Sequence, residues 1–149
     1  MFEKRLIVMP EQTFRSKDEV LEYMTHLEND KVSNPDGYAK DVRDREATFA
    51  TYTFDGIAIP HAKSENVTEP FVIYARLNEA VHWGDDEGED AIQVFLLGVP
   101  KSGNNLHLEL LTRLSKKLVH EDFRKSLADA SSTEEVYQLL KKFEEELTV

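Results

Sequence analysis

The chain has 149 residues, a formal net charge of −11 and no cysteine. This length suits one domain whose core is large enough to fold without disulfides. The negative charge argues against general nucleic-acid binding, because phosphate backbones require a basic protein face, and against anionic membrane surfaces. The absence of cysteine excludes disulfides and cysteine nucleophiles and suits a cytosolic protein. No apolar run approaches the roughly 20 residues of a membrane span.

The N-terminal part of the chain predicts a strand followed by a helix. The apolar run within Arg5–Met9 is typical of a short strand, which Pro10 would stop. Ser16 and Glu19 have the spacing of a capping box at a helix start. Apolar side chains continue at helical spacing, so we expect this helix to reach about Asn29.

A turn and a second helix are predicted before the centre of the chain. The composition of Asn34–Gly37, which includes proline and glycine, indicates a turn. Apolar spacing then predicts a second, shorter helix that ends near Glu46. Residues Ala47–Phe54 are rich in threonine and aromatic side chains and lack glycine and proline, which is typical of a strand.

Further strands are expected between the centre and the last third of the chain. Phe71–Leu77 has the composition of a strand, and Val81–Gly84 that of a brief edge segment. Ile92–Val99 is the most apolar run, and its near-continuous hydrophobicity predicts a strand covered on both faces. The acidic run Asp85–Asp90 lacks the ligand spacing of a calcium loop, so we interpret it as a solvated turn.

The C-terminal third predicts helices. Apolar residues on one stripe indicate a helix from His107 to Leu118, with Asn105 as its N-cap. A short helix over Asp122–Ala128 and a last helix capped at Ser132 follow. The predicted fold is therefore α/β, a single domain with a mixed central β-sheet flanked by helices on both faces.

The candidate functional stretch is Asp55–His61. Ile57–Ile59 has the length and β-branching of a buried strand, and Pro60 lacks the N–H group that ladder pairing needs. We therefore expect His61 at a strand end, rigidly held but reachable by solvent, which suits a nucleophile. The alternative is a histidine that merely caps the strand and hydrogen-bonds a neighbouring carbonyl.

Two further residues complete a possible phosphate site around His61. His107 falls in the first turn of a predicted helix, where free N–H groups and a partial positive charge receive phosphate. Arg45 would add a fork of hydrogen-bond donors. Phosphoryl transfer requires little beyond in-line positioning and charge neutralisation, and neutral imidazole can supply the lone pair without a metal. Two histidines and an arginine could equally be ordinary surface and cap residues.

Several stretches of the chain, in order, resemble one protein family. Gly56–His61 is similar to the phosphorylation-site motif of the enzyme IIA domain of the bacterial phosphoenolpyruvate-dependent sugar phosphotransferase system, fructose/mannitol type. The other matching stretches are Arg45-Glu46, Val81–Gly84, Val94–Pro100 and His107-Leu108. Tyr52–Asp55 and Ala62-Lys63 depart from the pattern, since glycine is commoner there. The resemblance covers nearly the whole chain and implies one such domain over residues 1–149.

The resemblance implies a phosphoryl carrier. His61 would accept a phosphoryl group from the phosphohistidine of the histidine-containing phosphocarrier protein HPr. It would pass the group to a cysteine of a IIB component, which phosphorylates sugar during uptake through the membrane IIC component. His107 would hydrogen-bond the phosphoryl oxygens or His61, Arg45 would offset negative charge, and Asp55 could orient an imidazole N–H. No cofactor, metal, nucleic acid or membrane insertion is implied.

The lack of cysteine bears on the organisation of such a protein. A fused IIB domain would need its phosphorylated cysteine, so we expect a free-standing IIA protein that meets its partners in the cytoplasm. The sequence does not identify the sugar, because the membrane component selects it. It also leaves open which imidazole nitrogen is phosphorylated and what the oligomeric state is.

Two other functions are alternatives to the sugar carrier. A regulatory IIA protein of the nitrogen-related type, whose phosphorylation state controls other proteins by contact, would use the same His61. The motif therefore does not separate the two. A metal hydrolase built on His61, His107 and a carboxylate would need a histidine–glutamate spacing of the H-E-x-x-H or H-x-x-E-H type, which the sequence lacks.

Overall fold

The structure is a computed structural model that describes residues 2–102 and 106–147, except for the side chains of residues 106–108, 110 and 147. Its elements in chain order are β1 (Phe2–Val8), α1 (Lys17–Thr25), α2 (Pro35–Thr48), β2 (Tyr52–Phe54), β3 (Ile57–Ala58), β4 (His61–Ser64), β5 (Phe71–His82), β6 (Asp90–Pro100), α3 (Leu106–Leu118), α4 (Glu121–Asp129) and α5 (Thr133–Leu147). Within these ranges no helix combines the length and the apolar composition that a bilayer crossing requires.

The strands in the described part of the chain form one mixed sheet with β6 near its centre. The sheet order is β1-β5-β6-β3-β2, and β4 also pairs with β6. β6 is antiparallel to β5 and parallel to both β3 and β4. At the two ends of the sheet, β1 is parallel to β5 and β2 is antiparallel to β3. The most apolar run of the sequence has therefore become the strand with the most neighbours.

Helices cover both faces of this sheet, as the sequence predicts. On β6, Val94 and Leu96 belong to the apolar cluster that contains the buried side chains of α1 and α2. Phe95 and Leu97 belong to the opposite cluster, which contains side chains of α3, α4 and α5. All four are at most 4 % exposed. Because successive side chains of a strand point to opposite faces, an uninterrupted apolar run needs two covered faces, and here it has them.

The predicted turn at Asn34–Gly37 is wrong, because these residues begin α2. Asn34 Oδ1 accepts a hydrogen bond from Gly37 N at 3.2 Å, and Pro35 takes the first helical position, where no N–H donor is needed. α2 has 14 residues and α1 has 9, so the expected order of lengths is reversed. The proline and asparagine that indicate a turn are equally the signals of a helix start.

α1 stops earlier than predicted and α2 stops later. Thr25 Oγ1 donates to the Leu21 carbonyl at 2.8 Å, and His26 Nδ1 lies 2.9 Å from the Glu22 carbonyl oxygen, so side chains satisfy the last carbonyls of α1. α2 continues to Thr48, so the strand predicted over residues 47–54 shrinks to the three residues of β2.

Pro60 does not end strand pairing, contrary to the prediction. The N–H that Pro60 lacks would face β6, and residues 59–60 belong to neither β3 nor β4, but the Pro60 carbonyl still accepts from Leu97 N at 3.0 Å. Pairing with β6 then resumes in β4, where His61 is the partner of Leu97. The polar stretch after His61 therefore begins with a strand. β3 and β4 act as one interrupted strand along the same edge of β6.

The second half of the chain follows the sequence prediction more closely. β5 extends to His82 and absorbs part of the expected edge segment, and the acidic run before β6 is a turn outside the strands, with only Asp90 paired. Ser132 Oγ accepts from Glu135 N at 3.2 Å, as expected for the start of α5. The predicted cap Asn105 lies outside the described residues.

Candidate functional site

His61 and Arg45, two of the predicted site residues, line one open cavity of about 230 Å³, called here the His61 cavity. Its wall comes from three parts of the fold: the end of α2 with the link and β2 that follow it, the β3–β4 strand, and α3. The lining residues are Arg45, Phe49, Ala50, Thr51, Tyr52, Thr53, Ile59, His61, Leu111 and Ser115. The sheet edge, rather than a loop, therefore presents the imidazole.

The sheet fixes where the His61 side chain points. Within the β3–β4 strand, Ile57 and Ile59 lie in the apolar cluster on the α3 side, and His61 lines the cavity together with Leu111 and Ser115 of α3. His61 is half-buried, so its ring is held by the fold and still reaches the cavity. The ring is therefore positioned by a strand and open to the cavity, and the role of His61 as a nucleophile stays a prediction.

One nitrogen of His61 is occupied by the backbone. Nδ1 lies 3.0 Å from the carbonyl oxygen of Ile59. A carbonyl oxygen only accepts hydrogen bonds, so Nδ1 of the neutral ring carries the proton and Nε2 carries the lone pair. The hydrogen bond expected of a merely capping histidine is thus present, but it uses one nitrogen, and no bond to the other nitrogen is seen among the described side chains.

Arg45 brings positive charge to the same cavity. It lies in the last turn of α2, half-buried, and its Nη1 donates to the Phe49 carbonyl oxygen at 2.9 Å. This bond anchors the side chain over the link between α2 and β2 and uses one of the five N–H donors of the guanidinium. An anion in the cavity would therefore meet a guanidinium whose position is already restricted.

The described contacts of Asp55 are with Arg124 and include none with His61, so its suggested role in orienting an imidazole stays a prediction. Its Oδ2 accepts from Arg124 Nε at 2.9 Å, and it is absent from the lining of the His61 cavity. The backbone of Asp55 has a φ of 53°, at the tip of the β2–β3 hairpin. For the His61 ring, the acceptor of the Nδ1 proton is the Ile59 carbonyl of the backbone.

His107 lies in the first turn of α3, but its side chain is outside the described part of the structure. Leu111, one helical turn further along α3, lines the His61 cavity. A contact between His107 and His61 or a bound phosphoryl group stays a prediction.

Sequence reasoning missed a buried polar cluster beside the cavity, formed by Glu46, Thr51 and Trp83. Glu46 accepts hydrogen bonds from both of the other residues and is only 5 % exposed. A signal for its burial was present, because Glu46 follows Tyr38 and Val42 at intervals of four, and both are fully buried on α2. A glutamate at the end of a helix normally indicates a solvated position, so the sequence alone favoured the wrong environment.

A second group of ionisable residues lies away from the cavity. His26 Nε2 is 2.7 Å from Asp36 Oδ1, and Glu22 contacts both His26 and Arg43. The hydrogen bond that the His26 ring donates to the Asp36 carboxylate is the largest cause that raises the pKa of His26 above its ordinary value. These exposed pairs connect α1 to α2 and share no residue with the His61 cavity.

Comparison with known proteins agrees with the resemblance that the sequence motifs show. The family model described as "Phosphoenolpyruvate-dependent sugar phosphotransferase system, EIIA 2" matches residues 1–143. The multiphosphoryl transfer protein 2 of Escherichia coli is 36 % identical over 132 residues, which are 87 % of this chain and 16 % of that protein. The fructose-specific EIIA component of Haloferax volcanii is 32 % identical over 136 residues, 90 % of this chain and 88 % of that relative.

A solved structure shows the same fold. The nitrogen regulatory protein IIA-Ntr from Neisseria meningitidis matches with a TM-score of 0.84 and 27 % identity, over 93 % of this chain and 95 % of that one. The present chain spans only about a sixth of the length of the E. coli relative and most of the length of the Haloferax one. From its family match and these relatives, the chain belongs to the EIIA 2 family of the phosphoenolpyruvate-dependent sugar phosphotransferase system.

Proposed function

We propose that this chain is a cytoplasmic phosphoryl carrier in which His61 accepts a phosphoryl group from HPr on Nε2 and passes it to a cysteine of a IIB component. The observation that carries the proposal is the His61 cavity, where an imidazole with a free Nε2 shares an open space with the guanidinium of Arg45. Membership in the family supports the phosphoryl-transfer role.

The chemistry needs only one atom of this chain to react. The Nε2 lone pair attacks the phosphorus of the donor phosphohistidine, the new N–P bond forms, and the donor N–P bond breaks with its electron pair returning to the donor imidazole. In the second half, the IIB thiolate attacks phosphorus and the electron pair of the broken bond returns to Nε2. The proton stays on Nδ1, hydrogen-bonded to the Ile59 carbonyl oxygen, throughout both transfers. His61 therefore exchanges no proton in either step.

Arg45 would stabilise the charge that develops during both transfers. The three equatorial oxygens of a phosphoryl group in flight carry spread negative charge, and catalysis comes mainly from positioning and electrostatic stabilisation. Arg45 is restrained by its bond to the Phe49 carbonyl and keeps further N–H donors for those oxygens. His107 would add a donor from the first turn of α3, as the family resemblance implies.

The surface around the cavity suits two successive protein partners. Phe49, on the cavity wall, is 71 % exposed and offers an apolar contact beside the reacting nitrogen. Aromatic side chains are enriched in protein interfaces. The formal charge of −11 would attract a basic partner face and speed encounters more than it strengthens binding.

A role in sugar uptake is preferred to the nitrogen-related regulatory role. The Haloferax relative, 32 % identical over nearly the full length of both chains, is named a fructose-specific component. The match to the nitrogen regulatory protein has the lower identity, 27 %. Transfer through IIB to a sugar imported by IIC is therefore the function proposed for this chain.

The deciding experiment is phosphorylation with purified components. We expect incubation with phosphoenolpyruvate, enzyme I and HPr to add one acid-labile phosphoryl group by intact mass measurement. His61→Ala should abolish the gain. His82→Ala is the matched control, because His82 is exposed, pairs with Asp90 and lies outside the cavity lining. A wild-type chain that gains no phosphoryl group would refute the proposal.

A second stage of the experiment separates the two roles. The phosphorylated chain is mixed with IIB domains of fructose type, and transfer is read as a phosphorylated IIB cysteine with loss of the label from His61. Labelling of the cysteine supports sugar transport. A phosphorylated chain that transfers to none of them supports the regulatory role instead.

A further inference from the structure

We propose that Glu46 is a positioning residue for His61, acting through the backbone of Thr51 and Ile59. The inference rests on the proposed function, since it concerns how the reactive nitrogen of His61 is kept free. Glu46 is not itself among the residues that line the cavity, and its described hydrogen bonds include none to His61; it reaches the cavity wall only through its bonds to Thr51, so it is not a catalytic residue in its own right.

The Glu46 carboxylate accepts hydrogen bonds from two distant parts of the chain. Its Oε1 accepts from Trp83 Nε1 at 2.6 Å and from Thr51 Oγ1 at 2.5 Å, and its Oε2 accepts from Thr51 N at 2.8 Å. Trp83 is 1 % exposed and Thr51 is 8 % exposed, so these bonds are shielded from water. Hydrogen bonds to a shielded carboxylate are among the stronger ones in proteins, and their loss leaves buried N–H groups without partners.

Two backbone hydrogen bonds carry the connection from Thr51 to His61. The Thr51 carbonyl oxygen accepts from Ile59 N at 3.0 Å, which extends the β2–β3 ladder by one step. The Ile59 carbonyl oxygen then holds His61 Nδ1 at 3.0 Å. The N–H and hydroxyl groups of Thr51 are thus fixed by Glu46, and its carbonyl group fixes Ile59. The Ile59 carbonyl in turn sets the tautomer of His61.

The link between α2 and β2 gives this arrangement its importance. Residues 49–51 form no helix or strand, yet they line the cavity. The bond from Arg45 to Phe49 is exposed, so the shielded connection between this link and α2 is the one made by Glu46. If that connection loosens, the Ile59 carbonyl is free to shift, and the His61 proton can then move to Nε2, where it blocks the attacking lone pair.

Glu46→Gln is the informative variant. It keeps the size of the side chain but replaces one acceptor oxygen with an NH₂ donor, which must face the N–H of either Thr51 or Trp83. We expect transfer from phosphorylated HPr to His61 to slow by about tenfold or more, because small displacements of reacting groups have large effects on rate. Nitrogen NMR of the His61 ring should change from one tautomer, protonated on Nδ1, to a mixture of two.

Tyr74→Phe is the matched control. Tyr74 is fully buried and its hydroxyl donates to Gln93 Oε1 at 2.6 Å, so the variant also loses a buried hydrogen bond. Gln93 pairs with Ile57 through the ladder, but the described side-chain bonds of Tyr74 include none to His61, Ile59 or Thr51. We expect the melting temperature of Tyr74→Phe to fall about as much as that of Glu46→Gln. The His61 tautomer and the transfer rate should both stay as in the wild type.

The outcomes separate the inference from the proposed function. Failure of the wild-type chain to be phosphorylated refutes the proposed function, whatever the variants do. An active wild type with Glu46→Gln at the wild-type rate and tautomer overturns the inference, as does an equal slowing in Tyr74→Phe. Should Glu46→Gln not fold, Glu46→Asp provides the same readouts, because the shorter carboxylate cannot hold Thr51 and Trp83 together.

Discussion

Gly98 lies where β6 passes the ring of Phe71, and its replacement by alanine should destabilise the fold strongly. The two residues are direct partners across β5 and β6. A Cβ atom added at Gly98 would lie 2.3 Å from both Cε1 and Cζ of Phe71. Ordinary carbon contacts are about 3.5–4.0 Å, so the ring would have to retreat by more than an ångström.

The surroundings of Phe71 resist that retreat. The ring is 1 % exposed and packs edge-on against Tyr38, with ring centroids 5.6 Å apart and an interplanar angle of 72°. Tyr38 is itself tied by its hydroxyl to the Leu97 carbonyl at 3.0 Å. Overpacking costs about 1–3 kcal/mol, and a disturbed aromatic pair adds about 0.5–1.5 kcal/mol. We therefore expect Gly98→Ala to lower the free energy of unfolding by about 2–4 kcal/mol.

Urea denaturation followed by circular dichroism measures this change. With a denaturant slope of roughly 2 kcal/mol per molar, the unfolding midpoint should fall by about 1–2 M. The double variant Gly98→Ala with Phe71→Leu is the control, because a smaller side chain opposite the new methyl group should relieve part of the loss. A single variant within about 0.5 kcal/mol of wild type would refute the reasoning, since that is the range of ordinary surface substitutions.

Three other predictions concern charged groups. In single-turnover kinetics, Arg45→Gln should slow phosphorylation of His61 by about tenfold or more while the melting temperature changes little. Arg45→Lys should recover part of the rate. Equal rates for the wild type and both variants would contradict the role of Arg45. Asp55→Asn should leave the transfer rate unchanged, because Asp55 pairs with Arg124 at an exposed site; a rate loss in a quenched-flow assay would return Asp55 to the site. Because the folded-state pKa of His26 is raised above its ordinary 6.5, its pair with Asp36 stabilises the fold fully below pH 6.5 and less as the pH rises through the raised pKa. Chemical denaturation should therefore show His26→Ala losing at most about 1 kcal/mol at low pH and less at high pH, and a loss that grows with pH would be the wrong sign.

The architecture was predictable because its signals are redundant. The continuous apolar run of β6 requires cover on two faces, and the amphipathic patterns of α1, α3 and α5 supply helices to provide it. Element ends were less predictable, because the same residues serve two local structures. Asn34 and Pro35 suit a turn and a helix start equally, and only the tertiary position of α2 decides between them.

The candidate site also has features that the sequence predicts and others that it does not. His61 and Arg45 are side chains with distinctive chemistry, and the sequence motifs pointed to both. The partner of the His61 ring is a backbone carbonyl, that of Ile59, which no side-chain pattern encodes. The carboxylate of Asp55 was the visible acceptor nearby, yet Arg124, which is 69 residues away in the chain, holds it. The buried setting of Glu46 likewise depends on Trp83, which arrives from the far end of β5.

The anchoring of the His61 ring by the Ile59 carbonyl has a consequence for repeated turnover. After the phosphoryl group leaves, the His61 ring has the same protonation as before it was phosphorylated. No proton exchange with solvent is therefore needed before the next phosphorylation. Exchange with heavy water should then leave the overall speed of the relay nearly unchanged, and the frequency of collisions with partners would set its pace.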